Sequence, residues 1–569
     1  MRFITAAILF VVSAVMILTG IADRTIWHPP ATHVQVIDVN TKSPLVIVKN
    51  STLTQYAGVP TVEVTSNSKP FLAIGRQHDI DAWVGGTPHV EVSGLAGTTT
   101  PRSITHEVAG NQVSANPAGS DLWYSEYNLL GRVSATVDPA NDTALLIANN
   151  GFDAAASKIT LTWGIVFNDG PSRNLLIGGG IILFIAVIMN FWAWYSMRRD
   201  RGPRRRTPRA PQGPRTRRRR SPNSAAPSRG RRSARGFVAT TGGILVLASL
   251  TGCSQPAATS SPTATAATKS VVQEPAVVNQ AQLVNIVGRI SAVVALADAA
   301  KDPKLMSGRV IGPALDSRGA YYTLEKTSKK IPAIAPVASN KIRLALPAQN
   351  ASWPRTVMVV TSSGKSTDLP QMLVLQQDSP RTQYQLWYNI DMLPGVKFPV
   401  VNDAQTGAVQ VAAASQFLKL APNALPVAFG DLIDNGPASL SASLFDVSKD
   451  EFYQQIHDSQ MAQKANLKNA TVAVTHSLGN PNVLALSTVN SGALVAVSLT
   501  DQYVIKPKDR THAVAVAGNE KLMLGSAGSA TGIRSTYGSM LLFYVPAVAS
   551  KDKIITLGAT QTLISVRGL

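Results

Sequence analysis

Residues 198–235 hold sixteen arginines against a single aspartate, and an apolar run stands on each side of them. A segment of Arg, Pro, Ser and Gly has almost nothing to bury. It cannot offset the entropy of folding and is expected to stay disordered. It also explains most of the charge: the 569-residue chain carries +20, and this segment alone carries +15. A uniformly basic nucleic-acid-binding surface is therefore a poor reading. Between two apolar runs, the tract reads as topogenic. Arg198 and Arg199, with Arg217, Arg218, Arg219 and Arg220, belong on the cytoplasmic side, where they fix helix orientation and lie along anionic lipid. Binding of phosphates through charge alone is the alternative, and no specific nucleic-acid partner is expected.

The flanking runs have different lengths. Phe3 to Ala22 is apolar for roughly 20 residues, enough to span ~30 Å of hydrocarbon. It is expected to be a retained anchor over 1–22, with a removable signal peptide cut after Gly20-Ile21-Ala22 as the competing reading. Leu175 to Tyr195 is a second spanning segment (173–197), uncharged, with Trp192, Trp194 and Tyr195 suited to the headgroup boundary. Gly178-Gly179-Gly180 could allow close helix pairing, but a plain lipid-facing helix is the commoner explanation. After the arginine tract, 236–252 has a short apolar middle of about 14 residues and ends Leu250-Thr251-Gly252-Cys253.

That ending resembles a bacterial lipobox, which implies cleavage after Gly252 and lipidation of Cys253. Cys253 is the only cysteine, so no internal disulfide and no thiolate metal cluster is available. Residues 253–278 are a Ser/Thr/Ala/Pro tether. The implied topology places both large modules outside the bacterial plasma membrane and the arginine linker inside. Cleavage would give two products from one chain.

Between the two spanning segments, residues 23–172 contain short β-branched runs punctuated by Gly, Pro, Asn and Asp, with no convincing helical period. An antiparallel β-sandwich is expected, its two ends at one pole. Residues 279–569 read differently. Gln280 to Ala300 has helical periodicity, residues 309–323 continue it, and four strand-like runs follow. The order repeats from about Val409, with helix candidates over 416–433 (interrupted by Pro422 and Pro426) and 449–464, then six strands. This predicts tandem α+β domains, 279–405 and 406–569. The order of elements resembles nuclear-transport-factor-2-like (NTF2-like) or cystatin-like folds. The run Arg381-x-x-Tyr384-x-Leu386-Trp387, with Trp353-Pro354-Arg355 and Gly312-Pro313-Ala314-Leu315, resembles uncharacterised actinobacterial lipoproteins across roughly Gln280 to Pro399. That resemblance implies a cell-envelope lipoprotein with no assigned activity, and it supplies no catalytic residue.

Few constellations carry chemistry. His78-Asp79-Ile80-Asp81 could start a metal site, with His89 and His106 approaching, although a polar loop is the better reading. Phosphate-loop, zinc-protease and nucleophile-elbow motifs are absent from the sequence. His457 and His476 read as surface or satisfied polar groups. Trp387 is a candidate ligand platform; Tyr388 beside it should face the other way. No cofactor, metal or catalytic residue is expected. The chain is expected to be a non-catalytic envelope protein that binds membrane lipid and an envelope protein or cell-wall ligand. A cell-wall-acting enzyme and a transporter's solute-capture accessory are the alternatives.

Overall fold

The computed structural model describes residues 2–27, 31–94, 102–140, 142–155, 157–164, 170–199 and 276–569. The elements begin α1 (Arg2–Thr25), β1 (Thr32–Val39), β2 (Leu45–Val48), α2 (Asn50–Leu53), β3 (Pro60–Thr65), β4 (Phe71–Arg76), α3 (Gln77–Val84) and β5 (His89–Gly94). They continue with β6 (Ser103–Val108), β7 (Trp123–Asn128), β8 (Arg132–Thr136), β9 (Thr143–Ala148), β10 (Ser157–Gly164) and α4 (Gly170–Arg199). The later part has α5 (Gln280–Ala300), α6 (Gly312–Thr327), β11 (Lys341–Pro347), β12 (Arg355–Ser362), β13 (Gln371–Gln377) and β14 (Gln385–Asp391). It closes with α7 (Leu425–Asn435), α8 (Glu451–Asn466), β15 (Ala470–Leu478), β16 (Leu484–Ser487), β17 (Ala493–Pro507), β18 (Val514–Ala515), α9 (Gly518–Leu524), β19 (Gly528–Ser529), β20 (Ile533–Val545) and β21 (Ile555–Gly568).

The chain divides into two compact units, Met1–His28 with Asn168–Val272, and Pro29–Phe167 with Gln273–Leu569. In the first, α1 and α4 pack together. Both present a small buried residue every seven positions: Ala6, Ser13 and Gly20 on one, Ser172, Gly179, Ala186 and Ala193 on the other. A seven-residue repeat keeps one stripe facing a partner helix, and small side chains let the backbones approach. Ser13 donates to the Gly179 carbonyl at 2.9 Å, and a Cβ on Gly179 would sit 2.8 Å from Ile17. The glycines thus pair helices, correcting the expectation of a plain lipid-facing segment. Most of the large apolar side chains on both helices point outward, Leu18 and Phe184 among them.

The second unit begins with a mostly β region over 31–164. Sheet order β1-β10-β3-β8 faces sheet order β6-β5-β2-β9-β4-β7 across a core that includes Val62, Val64, Leu161, Trp163, Val46, Leu72 and Ile147. Thr32 lies opposite Gly164, so the two ends of the region are neighbours, as expected. Two expectations fail here. β2 and β5 pair parallel, because the chain between them visits the other sheet, returns through β4 and reverses through α3. Residues 77–84 form a helix rather than a loop: Ile80, Trp83 and Val84 give it an apolar face of i, i+3, i+4 spacing. That face covers the far side of the six-stranded sheet with Trp123 and Leu122. Burial on both sides explains why β2 reads Leu-Val-Ile-Val and β9 Thr-Ala-Leu-Leu-Ile-Ala without alternation.

Residues 276–569 are mixed α/β, and the same order occurs twice: two helices, then an antiparallel sheet. β11-β12-β13-β14 follow α5 and α6; β15-β17-β20-β21, with β16 on β17, follow α7 and α8. Asn279 and Gln282 form a reciprocal capping box that starts α5. Pro426 stands at the first turn of α7, so the proline expected to interrupt that helix instead begins it. One apolar cluster takes Leu283, Ile290, Met358 and Leu373 from the first repeat and Leu486, Leu494 and Leu542 from the second. The helix pair α7 and α8 covers the opposite face of the second sheet.

Three helices among the described residues are long and apolar enough to cross a membrane: Ile4–Thr25, Pro171–Arg199 and Gln280–Ala300. The third carries Arg289 and Asp298 and buries Leu283, Ile286, Ile290 and Val294 against the sheet, which accounts for its apolar content.

Candidate functional site

Two features stand out in the second unit: a cleft, and a seam of buried charge. The cleft, of about 160 Å³, lies between the first turns of α6 and the middle of the second sheet. Pro313, Asp316 and Ser317 form one wall; Ser498, Thr500, Thr536, Gly538, Met540 and Ile564 form the other, with the Gly479-Asn480 turn at one end. Ser317 and Thr562 share a hydrogen bond of 2.6 Å, and the Asn480 amide donates to Ser498 at 2.6 Å. Asp316 stands exposed at the mouth.

Trp387 lies beside this cleft. The β13–β14 register shifts between Val374 opposite Tyr388 and Leu375 opposite Leu386, leaving Trp387 as the extra residue of a bulge. Burial along β14 still alternates, with Leu386, Tyr388 and Ile390 in the core and Trp387 half-buried. The Tyr388 hydroxyl donates to the Asn482 carbonyl at 2.8 Å, while Trp387 Nε1 and Asn480 Nδ2 lie 3.1 and 3.5 Å from where a Gly312 Cβ would stand. Both rings therefore reach the same turn. Gly312, at φ +56°, leaves the space they use.

The seam joins the β region to the first α+β repeat. Asp121, just before β7, has a fully buried carboxylate. It accepts from Arg309 at 2.5 and 3.2 Å, from Arg289 at 3.1 Å and from the Tyr384 amide at 2.8 Å. Gln282 donates to the Leu122 carbonyl at 2.9 Å. On α3, Asp79 accepts from Arg355 at 2.7 Å, with both side chains at most 1 % exposed. The Arg355 guanidinium also lies 3.7 Å from the Trp353 ring centroid, a stacked cation. Arg381 meets the end of α3, where carbonyls lack helical partners. It donates to Trp83 O at 2.8 Å, Val84 O at 3.1 Å, Thr87 Oγ1 at 2.5 Å and Val113 O at 2.7 Å.

This seam absorbs the sequence's candidate metal cluster. His78 donates to the Ala351 carbonyl at 2.7 Å, Asp79 holds Arg355, and Asp81 pairs with Lys49 at 2.8 Å. His89 donates to the Thr87 carbonyl at 2.7 Å, and His106 stands opposite Glu91 in the ladder. Among the described residues no group of three His, Cys, Asp or Glu side chains is placed to hold a metal ion.

His476 is buried between two carboxylates, with its Nδ1 hydrogen-bonded and its Nε2 left without a hydrogen bond. Its Nδ1 donates to Asp501 at 2.6 Å, its Nε2 faces Asp434 at 3.5 Å, and it is 4 % exposed. Burial pulls its pKa down, but the carboxylates of Asp434 and Asp501 outweigh that and push it up to about 9. A cation held between two carboxylates is no base at neutral pH. Asp501 also accepts from Ser539 at 3.2 Å and Gln561 at 3.1 Å. His457 donates to the Ile433 carbonyl at 2.6 Å and stacks on Tyr453.

Arg198 and Arg199 occupy the last turn of α4, with Arg198 over the Trp194 ring. Leu250, Thr251, Gly252, Cys253 and Arg217, Arg218, Arg219 and Arg220 lie outside the described residues. Sequence reasoning missed Asp121, Arg289 and Arg309 as a cluster, since each is a lone charge far from the others in the chain. Arg355 had a local signal: it opens a strand whose eight residues are all buried.

Residues 274–568 match the family described as Domain of unknown function (DUF8094). The match covers more than half of the chain, which belongs to that family. No curated protein and no solved structure matches it.

Proposed function

We propose that the protein is a non-catalytic component of a bacterial cell envelope, an extracytoplasmic binding and interaction module attached to the plasma membrane. The observation that carries this reading is the cleft between α6 and the second sheet. Ser317, Asn480, Ser498, Thr500 and Thr536 offer hydrogen bonds around it, Trp387 stands at its edge, and the nearby histidine is already held between two carboxylates. Such a site recognises neutral, hydroxyl-bearing groups such as those of cell-wall polymer. Asp316 is the one carboxylate among its lining residues and no histidine is among them, so the test includes turnover as an outcome.

The heptad of small residues shared by α1 and α4 supports a retained first helix, because removal would strip α4 of its packing partner. The basic last turn of α4 supports a cytoplasmic end there and extracytoplasmic placement of both globular regions. On this reading Cys253 is lipidated and the two ααβ repeats are NTF2-like or cystatin-like domains. The test uses tagged full-length protein in a pull-down from solubilised membranes. Recovery of an envelope protein or cell-wall glycan, lost when Thr500→Phe fills the cleft, is the expected result. Recovery of neither, or turnover of the captured glycan, overturns the reading.

A further inference from the structure

We infer that residues 31–164 and residues 276–569 are two subunits of one complex, held by the seam and not by the chain between them, so that each recognises the other in trans. The cores show the separation first. The cluster between the two β-region sheets draws only on residues 37–163, and those of the α+β repeats draw only on residues 277–566. Trp353 alone reaches across, into the cluster under α3. Independent cores with a polar boundary are what separately folding bodies have.

The seam also has the anatomy of a recognition surface. Both buried carboxylates, Asp79 and Asp121, belong to the β region; Arg289, Arg309, Arg355 and Arg381 all belong to the DUF8094 module. Packing inside one domain has no reason to sort charge by side, whereas complementary partners are sorted that way. Arg76 and His78 donate the opposite way, to the carbonyls of Ala276 and Ala351, which fixes register without altering the sorting. Arginine planes against carboxylate and aromatic faces are a recurrent choice at binding sites.

Covalent connection adds little to this. From Gly164 to Ala276 the path is more than a hundred residues and includes α4, which belongs to the other unit. A tether of that length gives only a modest effective concentration. The family match begins at residue 274, so the arginine-bearing side is a recurring module in its own right while its carboxylate partner lies outside the match. The partner the module takes is therefore a β-sheet domain presenting two carboxylates at one end, here residues 31–164. The inference is independent of what the cleft binds and of whether the chain is cut at Cys253.

The test uses full-length protein tagged at both ends, with the recognition sequence of a site-specific protease inserted between residues 254 and 272. After cleavage in detergent, pull-down through one tag should retain the other fragment. Asp121→Arg should weaken retention on the order of a hundredfold, and Asp121→Arg with Arg309→Asp should restore part of it. Protease resistance of each fragment's own core shows whether the variant is folded. Separation of the wild-type fragments on cleavage overturns the inference. So does wild-type retention in both Asp121→Arg and Arg355→Glu, because the fragment after the cut carries neither α1 nor α4 and only the seam can hold it. Loss of ligand capture with retention intact would sink the binding reading alone.

Discussion

The two α+β repeats share an order of elements, and each ties its own elements together with buried charge, Arg318 to Asp298 in the first, but only the first also sends arginines out of its own fold. In the first, Arg289, Arg309, Arg355 and Arg381 all point outward into the β region and find their partners there. In the second, the charge is turned inward: Asp434 of α7, His476 of β15 and Asp501 of β17 form one cluster that ties its own helix to its own sheet. The helices differ to match. α7 and α8 cover a face of their sheet through Phe429, Leu432, Ile433 and Tyr453, while α5 leaves Gln282 and Arg289 free to serve the seam. The two repeats share one apolar cluster, and the first also carries the arginines that meet the β region. The lesson is that two regions with one order of elements can differ in which surface a handful of charges serves.

The sharpest way to break this contrast is to remove a shared anion. Asp121→Ala leaves Arg309, and with it part of Arg289, facing a dry seam without a counter-charge. The expected loss is about 3–5 kcal/mol of stability in denaturant unfolding of the full chain, with the β region and first repeat losing protection together in hydrogen exchange. Loss confined to the β region would mean that the arginines are not serving the seam.

The second repeat should respond to pH instead. The folded His476 titrates near 9, above its ordinary 6.5, so its contribution is complete below about pH 6.5. It falls away as pH rises through 9, by on the order of 3 kcal/mol. Unfolding measured between pH 6 and 9.5 should show that decline in the wild type and a flat profile in His476→Gln. An equal decline in both would place the titrating group elsewhere.

A smaller effect is expected at Trp353, whose ring carries the Arg355 guanidinium. Trp353→Leu keeps apolar volume but loses the stacked cation, at about 1 kcal/mol. A double-mutant cycle with Arg355→Met measures the coupling directly, and a cycle energy near zero would remove the stack from the account.

The smallest net change is predicted for the pair that looks strongest. Asp79→Leu with Arg355→Met should be close to neutral in stability, since both desolvation costs disappear with the attraction, while either change alone costs about 3–5 kcal/mol. A strongly destabilised double variant would show that the ion pair exceeds an apolar replacement.

Much of the architecture was legible in the chain, and the failures are instructive. Alternation in Thr61-Val62-Glu63-Val64 marked a half-buried strand, and the helical period from Gln280 to Ala300 marked α5. The three long strands β17, β20 and β21 were seen only in their apolar parts. Their remaining stretches, such as Ser498 to Gln502 and Ser535 to Ser539, are polar because they line the cleft or reach the His476 cluster. A hydrophobic pattern cannot report a strand whose face meets no core. Trp387 is half-buried beside fully buried Tyr388, as alternation along the strand requires, and the bulge at this point was not visible in the sequence.

The sequence by itself determined what depends on neighbours a few residues apart: two apolar helices, the arginine tract's charge, the strand-rich first region and the helix-then-sheet order that occurs twice. Tertiary structure alone decided which lone charges meet. Asp121 and Arg309 stand 188 positions apart, and Asp79 and Arg355 stand 276 apart. Local propensity carries no information over such distances. An isolated arginine reads as a solvated surface residue until a second sheet removes its water and hands it a carboxylate.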